Sequence, residues 1–565
     1  MHYSVKVDPD TSQRYLAVSV RGQDLLKDSL LNKGTAFTEE ERDAFGLRGL
    51  LPDHVSVIDS QLDRVRTQLD LKPDPIQKNI YLSGLQDRNE TLFYRFLIEN
   101  LEEVVPLVYT PVVAEACRHW SRLYRRARGV FITPKDRGRI TTLLRSRPTR
   151  EPGVIVVTDN ERILGIGDQG AGGMGIPSGK LALYTAGAGI HPANTFPNSL
   201  DVGTNNEELL NDPLYLGLHE PRLRGDDYWS LIDEFVEAVT EVFPHSLLQW
   251  EDFGNKTSFR NLDRYRDRLA SFNDDIEGTA ATVVAGLLVA MRELGTSWPD
   301  QRIVIAGAGS AGIGLARTIT AAMRGSGMTE ADARSRIYLT DSKSLVNEDR
   351  TDITEEKRVW AVERERMAGW GVTGSPVLAE VVRNVHPTVL IGLSGQAGLF
   401  GKEMIRDVAD AVERPLIMPM SNPTNCTEVL PADALAWTEG RAIIATGSPF
   451  EPVVRDGRTH QIGQANNMYI FPAMGLGTLA VQASRVTDGM FLAAAETLAD
   501  AVDPSLSAAG ALFPRITDVR EVSRALAVAV GQQAIAEGVA DEQEDVAALV
   551  DDLIWWPEYI PFRPA

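Results

Sequence analysis

The chain has 565 residues, with 57 Lys and Arg against 78 Asp and Glu, and a formal charge of -21. A chain this long buries several cores, while its acidic balance argues against the basic face that nucleic acid or an anionic membrane requires. Cys117 and Cys426 cannot build a disulfide framework, MHYSVKVDPD has no signal-peptide core, and no apolar window reaches the roughly 20 residues of a spanning helix. A cytoplasmic protein with no nucleic-acid and no membrane partner is the expectation.

Residues 1–130 read as a helical region, on periodic stretches such as SVIDSQLDRVRTQLDL and NETLFYRFLIENLEEVVPLVY. In VYTPVVAEA, Thr110 is placed to cap a helix whose first position is Pro111, which leaves Tyr109 just outside it. The plain reading of Tyr109 is an aromatic staple on that helix. From Val154 the texture changes. VIVVTDNERILGIG reads as two β-rich runs around Asp159 and Asn160, hence a hairpin.

A glycine-dense run follows, GIGDQGAGGMGIPSGKLALY, residues 165–184. So many glycines cost backbone entropy, which suggests a place where side chains would obstruct a ligand or another segment. Lys180 stands at the start of the next apolar helix. There a lysine is ordinarily solvated; inside a closed site its pKa would fall towards neutrality, which suits a general base. Strands and helices then alternate to residue 273, with SLLQWEDFG a strand that ends in Glu251 and Asp252.

In SFNDDIEGTAATVVAGLLVAM, residues 271–291, Asp274 and Asp275 precede an apolar run that reads as a buried helix. Two readings stand side by side. The aspartates cap the helix and favour its dipole, or they join Glu251 and Asp252 as hard oxygen ligands, a set that implies Mg²⁺ or Mn²⁺ rather than zinc.

AGAGSAGIG, residues 306–314, follows the strand RIVIAG and opens a helix, with Gly307, Gly309 and Gly312 spaced as in a dinucleotide-binding turn. Asp341, at the end of the strand RIYLTD, lies where a carboxylate would meet a free ribose and favour NAD. Beside it, Ser342 and Lys343 suit the 2'-phosphate of NADP. Further strands, TVLIGLSG, PLIMPMSN and RAIIATGS, end in small or polar residues, where open parallel sheets bind ligands. Residues 467–565 read as helical, with an aromatic tail, IWWPEYIPF, that packs on the body.

Taken together and in order, VYTP, ERILGIGDQGAGGMGIPSGKLALYTAGAGI, DVGTNNEELLNDPLYLG, EDFGN, FNDDIEGTAA, GAGSAGIG, SNPT, ATGSPF and GQANNMYIFP resemble the malic enzyme family. That resemblance implies oxidative decarboxylation of L-malate to pyruvate and CO₂ with NAD⁺ or NADP⁺ and a divalent cation. By position, it implies Glu251, Asp252 and Asp275 as metal ligands. It implies Lys180 as general base, Tyr109 as general acid, and Asp274 as the group that orients the lysine. Arg162 is implied as the clamp on the substrate carboxylate, and Asn422, Asn466 and Asn467 as contacts to malate and the nicotinamide end of the cofactor. A malolactic enzyme, which releases lactate on the same fold, shares these residues, and a non-catalytic nucleotide-binding sensor is the rival of another class. Arg64 and Arg88 match arginines of a fumarate site in some relatives, yet Ser56 stands where the accompanying glutamate is expected.

The fold class expected is α/β. Its layout is a helical N-terminal region (1–130) that the resemblance associates with a homodimer or homotetramer, an α/β substrate and metal domain (131–273 plus 467–537), a Rossmann-like dinucleotide-binding domain (274–466), and a tail (538–565).

Overall fold

Two stretches of chain, Met1–Leu248 with Asp551–Ala565 and Gln249–Val550, fold as separate units in this computed structural model. It describes residues 2–146, 151–163 and 165–565. The fold class is α/β, as expected from the alternating elements.

In the first unit, the alternating residues of YSVKV and RYLAV form an antiparallel hairpin, β1 (Tyr3–Val7) on β2 (Arg14–Val18), which the helical reading of residues 1–130 omits. A C-terminal strand, Phe562–Pro564, adds parallel to β2, so the first strands are completed by the last. The aromatic tail does pack on the body: the Trp555 N–H donates to the Gly189 carbonyl (2.7 Å), and the Tyr559 hydroxyl donates to Gln61 Oε1 (2.7 Å). Helices Ile58–Asp70, Pro75–Arg88, Glu90–Glu99 and Leu101–Val108 follow, as their periodicity predicts.

Three strands then pair in parallel, β3 (Val130–Ile132) and β4 (Val154–Thr158) on either side of β5 (Thr195–Leu200). This corrects the hairpin expected in VIVVTDNERILGIG. Only its first half is a strand, and that strand runs parallel to β5. Past Asn160, held in a left-handed conformation (φ 62°), Ile163 and Gly167 close a tight turn by exchanging backbone hydrogen bonds (2.8 and 3.2 Å). Gly165 and Gly167 make that turn with positive φ, so the second run bends on itself instead of extending. Leu164, within the run, lies outside the described residues.

The boundary between the units falls within β6 (Leu247–Trp250), and β7 (Ser271–Asn273) belongs to the second. The second unit is built on a parallel sheet. Its strands are β8 (Ile303–Ala306), β9 (Ile337–Thr340), β10 (Val389–Gly392), β11 (Leu416–Pro419), β12 (Ile443–Thr446) and, beyond a hairpin of β13 (Val453–Arg455) and β14 (Arg458–His460), the short β15 (Gly463–Gln464). Their order is β15-β12-β11-β10-β8-β9. Strands β8, β10, β11 and β12 are buried along their whole length, as parallel strands covered on both faces must be. The order reverses between β8 and β10, and a crevice at that switch point is where such sheets bind ligands.

Helix Thr279–Leu294, apolar nearly all round, is buried as its sequence predicts and stops at Gly295 in the left-handed conformation (φ 62°). No helix among the described residues is long and apolar enough to cross a membrane.

Candidate active site

In the first unit, Tyr109 is held by its backbone between two helices. Its N–H donates to the Val105 carbonyl (2.9 Å) and its carbonyl accepts from Val113 (2.8 Å). The expected Thr110 cap is absent. The chain passes through a cis Thr110–Pro111 bond, Pro111 itself takes the N-cap of Val112–Arg118, and the Tyr109 carbonyl satisfies the orphan N–H that Thr110 was expected to meet. From the facing helix, Gly175–Ala188, Lys180 places its ammonium 5.7 Å from the Tyr109 ring centroid. At 2% exposure Lys180 is not the solvated lysine of the plain reading. A side chain at Gly179 would press to 2.9 Å of the Tyr109 ring, so the two candidate catalytic groups meet across a glycine.

The glycine-rich run before that helix is anchored from below. Arg222, buried, donates through Nε and Nη2 to both carboxylate oxygens of Asp168 (2.7 and 2.8 Å) and through Nη1 to the Asp159 carbonyl (2.7 Å). Asp168 also accepts from the Thr204 hydroxyl and the Asn205 and Gly170 N–H groups. Burial raises the Asp168 pKa, but the arginine fork prevails and holds it below the usual carboxylate value. Asp159 is different. It accepts from the Tyr228 hydroxyl (2.7 Å), and burial pushes its carboxyl up to about 6 against the pull of Arg222. Arg162, expected as a carboxylate clamp, is exposed just ahead of the 163–167 turn.

In the second unit, ligand atoms of Glu251, Asp252 and Asp275 all lie within 4.8 Å of one another. Glu251 and Asp252 are buried, Asp275 partly so. Gln249 donates to Glu251 Oε2 (2.7 Å), and the Asp252 N–H donates to Asp275 Oδ2 (2.8 Å). Asp252 takes a left-handed backbone (φ 56°), uncommon for a residue with a side chain. Three carboxylates this close repel unless a cation joins them, and hard oxygen donors suit Mg²⁺ or Mn²⁺. The cluster therefore fits the expected metal.

Capping of the following helix falls to other residues. Asn273 Oδ1 accepts from the Ile276 N–H (3.1 Å), while the Asn273 N–H donates to Glu277 Oε2 (2.9 Å). This reciprocal cap encloses a π turn, Asp274–Gly278, which turns Asp274 and Asp275 out of the capping role that one reading assigned them. Burial raises the Glu277 carboxyl to about 8. Asp274, fully buried, accepts from Asn467 Nδ2 (3.0 Å), an amide that also reaches the Thr279 hydroxyl (3.0 Å). Asn466 spends its side-chain oxygen on the Met468 N–H (2.9 Å).

The glycine turn after β8 has the expected form. The Gly307 N–H donates to the Thr340 carbonyl (2.9 Å), and a Cβ at Gly307 (φ 128°) would fall 2.3 Å from the Leu393 carbonyl oxygen, so the turns after β8 and β10 touch at the switch point. Gly309 caps the helix Ser310–Gly325, with nothing nearer to its missing Cβ than Asn255 at 3.8 Å. Asp341 follows β9, and its carboxylate is shared by Arg350 (2.8 Å) and Lys357 (2.9 Å), which outweigh burial and hold its pKa far below the ordinary value. Lys343 points instead to Asp352 (2.6 Å). Arg350 and Lys357 escaped sequence reasoning because nothing local pairs them with Asp341. Arg64 donates to the Ser56 hydroxyl (3.0 Å), and Arg88 is exposed.

A parallel sheet with a glycine turn at its switch point gives the class as a dinucleotide-binding α/β protein, and its second unit also carries the three-carboxylate cluster. Residues 86–266 match the malic enzyme N-terminal domain, and residues 276–535 match the malic enzyme NAD binding domain. The chain belongs to the malic enzyme family. It is 47% identical over 560 residues to the NAD-dependent malic enzyme of Acinetobacter baylyi, covering 98% of this chain and 99% of the relative. It is 47% identical over 555 residues to the NAD-dependent malic enzyme of Pectobacterium atrosepticum, covering 98% of each. Among solved structures, malic enzymes from Entamoeba histolytica (TM-score 0.55, 23% identity, 91% of this chain and 90% of that one) and Pyrococcus horikoshii (TM-score 0.53, 24% identity, 80% and 88%) share the fold.

Proposed function

We propose that the protein is a cation-dependent malic enzyme that oxidises and decarboxylates L-malate to pyruvate and CO₂ with NAD⁺. The observation that carries this reading is the cluster of Glu251, Asp252 and Asp275, a hard-oxygen site in a chain that also bears a dinucleotide turn. Full-length relatives named as NAD-dependent malic enzymes support the substrate and the cofactor. When bound at the three carboxylates, a cation would supply Lewis-acid polarisation of the substrate oxygens, and a nicotinamide would supply the hydride acceptor.

The chain's own residues do the rest. Glu251, Asp252 and Asp275 hold the cation. Lys180, buried and next to an aromatic ring, takes the malate hydroxyl proton at Nζ. Tyr109 returns a proton to the enol carbon, with Lys180 beside it to resupply the hydroxyl. Asp274 orients the lysine, a role that rests on the family resemblance. Arg162 offers a forked donor pair to a substrate carboxylate, and Asn422 and Asn466 complete the malate contacts. The turn at Gly307 and Gly309 receives the pyrophosphate while Gly312 lets the helix pack against Gly307, Asp341 with Ser342 and Lys343 meets the adenosine ribose, and Asn467 faces the nicotinamide end. The helical N-terminal region is proposed as the homo-oligomer interface.

The test is to incubate the protein with L-malate, Mn²⁺ and NAD⁺ or NADP⁺, follow reduced nicotinamide, and identify the product. Pyruvate with stoichiometric NADH is expected. Lactate without net reduction would point to a malolactic enzyme, and absence of turnover to a sensor. Lys180→Ala is expected to lose on the order of 10³-fold or more in kcat while NAD⁺ still binds, and near-normal turnover would reject the lysine as base.

A further inference from the structure

Glu428 is fully buried on the C-terminal side of the second unit's sheet. Burying a carboxylate is costly unless cations or donors accompany it. Here the partners are neutral. Oε1 accepts from the Ser394 N–H (2.9 Å), the Ser394 hydroxyl (2.8 Å) and the Ser421 hydroxyl (2.5 Å), and Oε2 from the Ser421 N–H (3.4 Å). Among the described residues no Lys, Arg or His pairs with it. Its position depends on Gly392, the last residue of β10, where any Cβ would fall 2.4 Å from the Glu428 carboxyl carbon.

The two serines lie on different turns. Ser394 follows β10, in the segment whose Leu393 carbonyl lies against Gly307 of the cofactor turn. Ser421 follows β11 and immediately precedes Asn422, whose Oδ1 accepts from the Ser448 hydroxyl (2.5 Å). The Ser421 hydroxyl also accepts from the Gly395 N–H (2.8 Å), so the turns are joined twice. A carboxylate only accepts, which lets two backbone and two hydroxyl donors converge on one side chain. An amide would present N–H groups to some of those donors.

We infer that Glu428 is a positioning residue, locking the turns after β10 and β11 together so that Asn422 and the Gly307 turn keep the spacing that malate and the cofactor require. This rests on the substrate role proposed for Asn422. Small displacements of positioning groups cost up to roughly 10²-fold in rate.

A double-mutant cycle tests it, with kcat and KM for malate and for NAD⁺ measured on Glu428→Ala, Asn422→Ala and the pair, and with Glu428→Gln as the variant that keeps side-chain volume. Glu428→Ala should lose on the order of 10- to 100-fold in kcat/KM, and the pair should lose no more than about 3-fold beyond Asn422→Ala alone, because coupled residues are not additive. Glu428→Gln should stay folded, with a lowered melting temperature for the donors it leaves unmet, and should raise the KM for NAD⁺ about 5-fold or more. Additive losses in the pair, or Glu428→Gln with wild-type KM for NAD⁺, would overturn the inference. If Asn422→Ala turns over normally, the substrate role of Asn422 fails, and the NAD⁺ KM of Glu428→Gln alone then decides the part played by Glu428.

Discussion

Apart from Asp341, which Arg350 and Lys357 pair, the carboxylates singled out in the two units are held by different means. Beneath the glycine-rich run of the first, Asp168 faces the guanidinium of Arg222, and Asp159 meets the hydroxyl of Tyr228. In the second, Glu428 is surrounded by neutral donors, while Glu251, Asp252 and Asp275 are drawn together against their mutual repulsion. Opposite charges in fixed contact stiffen a scaffold and leave no field to spend on a ligand. Like charges gathered in one place repel, so the second arrangement favours a cation between them.

Removing the central cation of the first network should have the largest effect. Arg222→Met leaves Asp168 partly buried without its fork and should cost about 3–5 kcal/mol in chemical denaturation, the usual result of breaking a buried pair from one side. A loss within about 1 kcal/mol would mean that the network stiffens nothing.

Asp159 offers a finer test of the same region. With its carboxyl near 6 in the folded chain and near 3.8 unfolded, the folded state holds the proton more tightly, so stability present below about pH 4 is lost as pH rises through 6. The difference corresponds to about 3 kcal/mol at most. Asp159→Asn should flatten the pH 4–6 limb of the stability profile relative to wild type, and parallel profiles would show that Asp159 titrates normally.

For the second unit, Mn²⁺ at 100 times its Kd should raise stability by about 2.7 kcal/mol in a thermal melt. Asp275→Asn should remove most of that shift without lowering the metal-free melting temperature, since it relieves repulsion. A metal-induced shift unchanged in Asp275→Asn would remove Asp275 from the ligand set and blur the contrast between the units.

Much of this was legible in one dimension. β8, the glycine turn and the buried helix after Gly278 follow from local periodicity and from steric rules that act over a few residues. Carboxylates at Glu251, Asp252 and Asp275 could be listed as ligands because their chemistry is visible in their identity. Errors arose where distant segments decide. The hairpin after Val154 failed because β5, some forty residues on, offered β4 a parallel partner. Thr110 lost its cap because the turn at Pro111 let the Tyr109 carbonyl do that work. The cap at Asn273 and Glu277 is readable as a polar residue followed four later by Glu, but Asp274 and Asp275 between them are caps of equal standing by residue type.

By itself, then, the sequence determined the fold class, the family and the set of groups able to do the chemistry, because side-chain chemistry and short-range spacing are local properties. Tertiary structure decided which of those groups are buried, and with what. It removed Lys180 from water, set it beside Tyr109, assigned Arg222 to Asp168 across 54 residues, and left Asp275 with Glu251 and Asp252. Charge acquires its meaning from its surroundings, since desolvation and pairing depend on segments that the chain brings together only when folded.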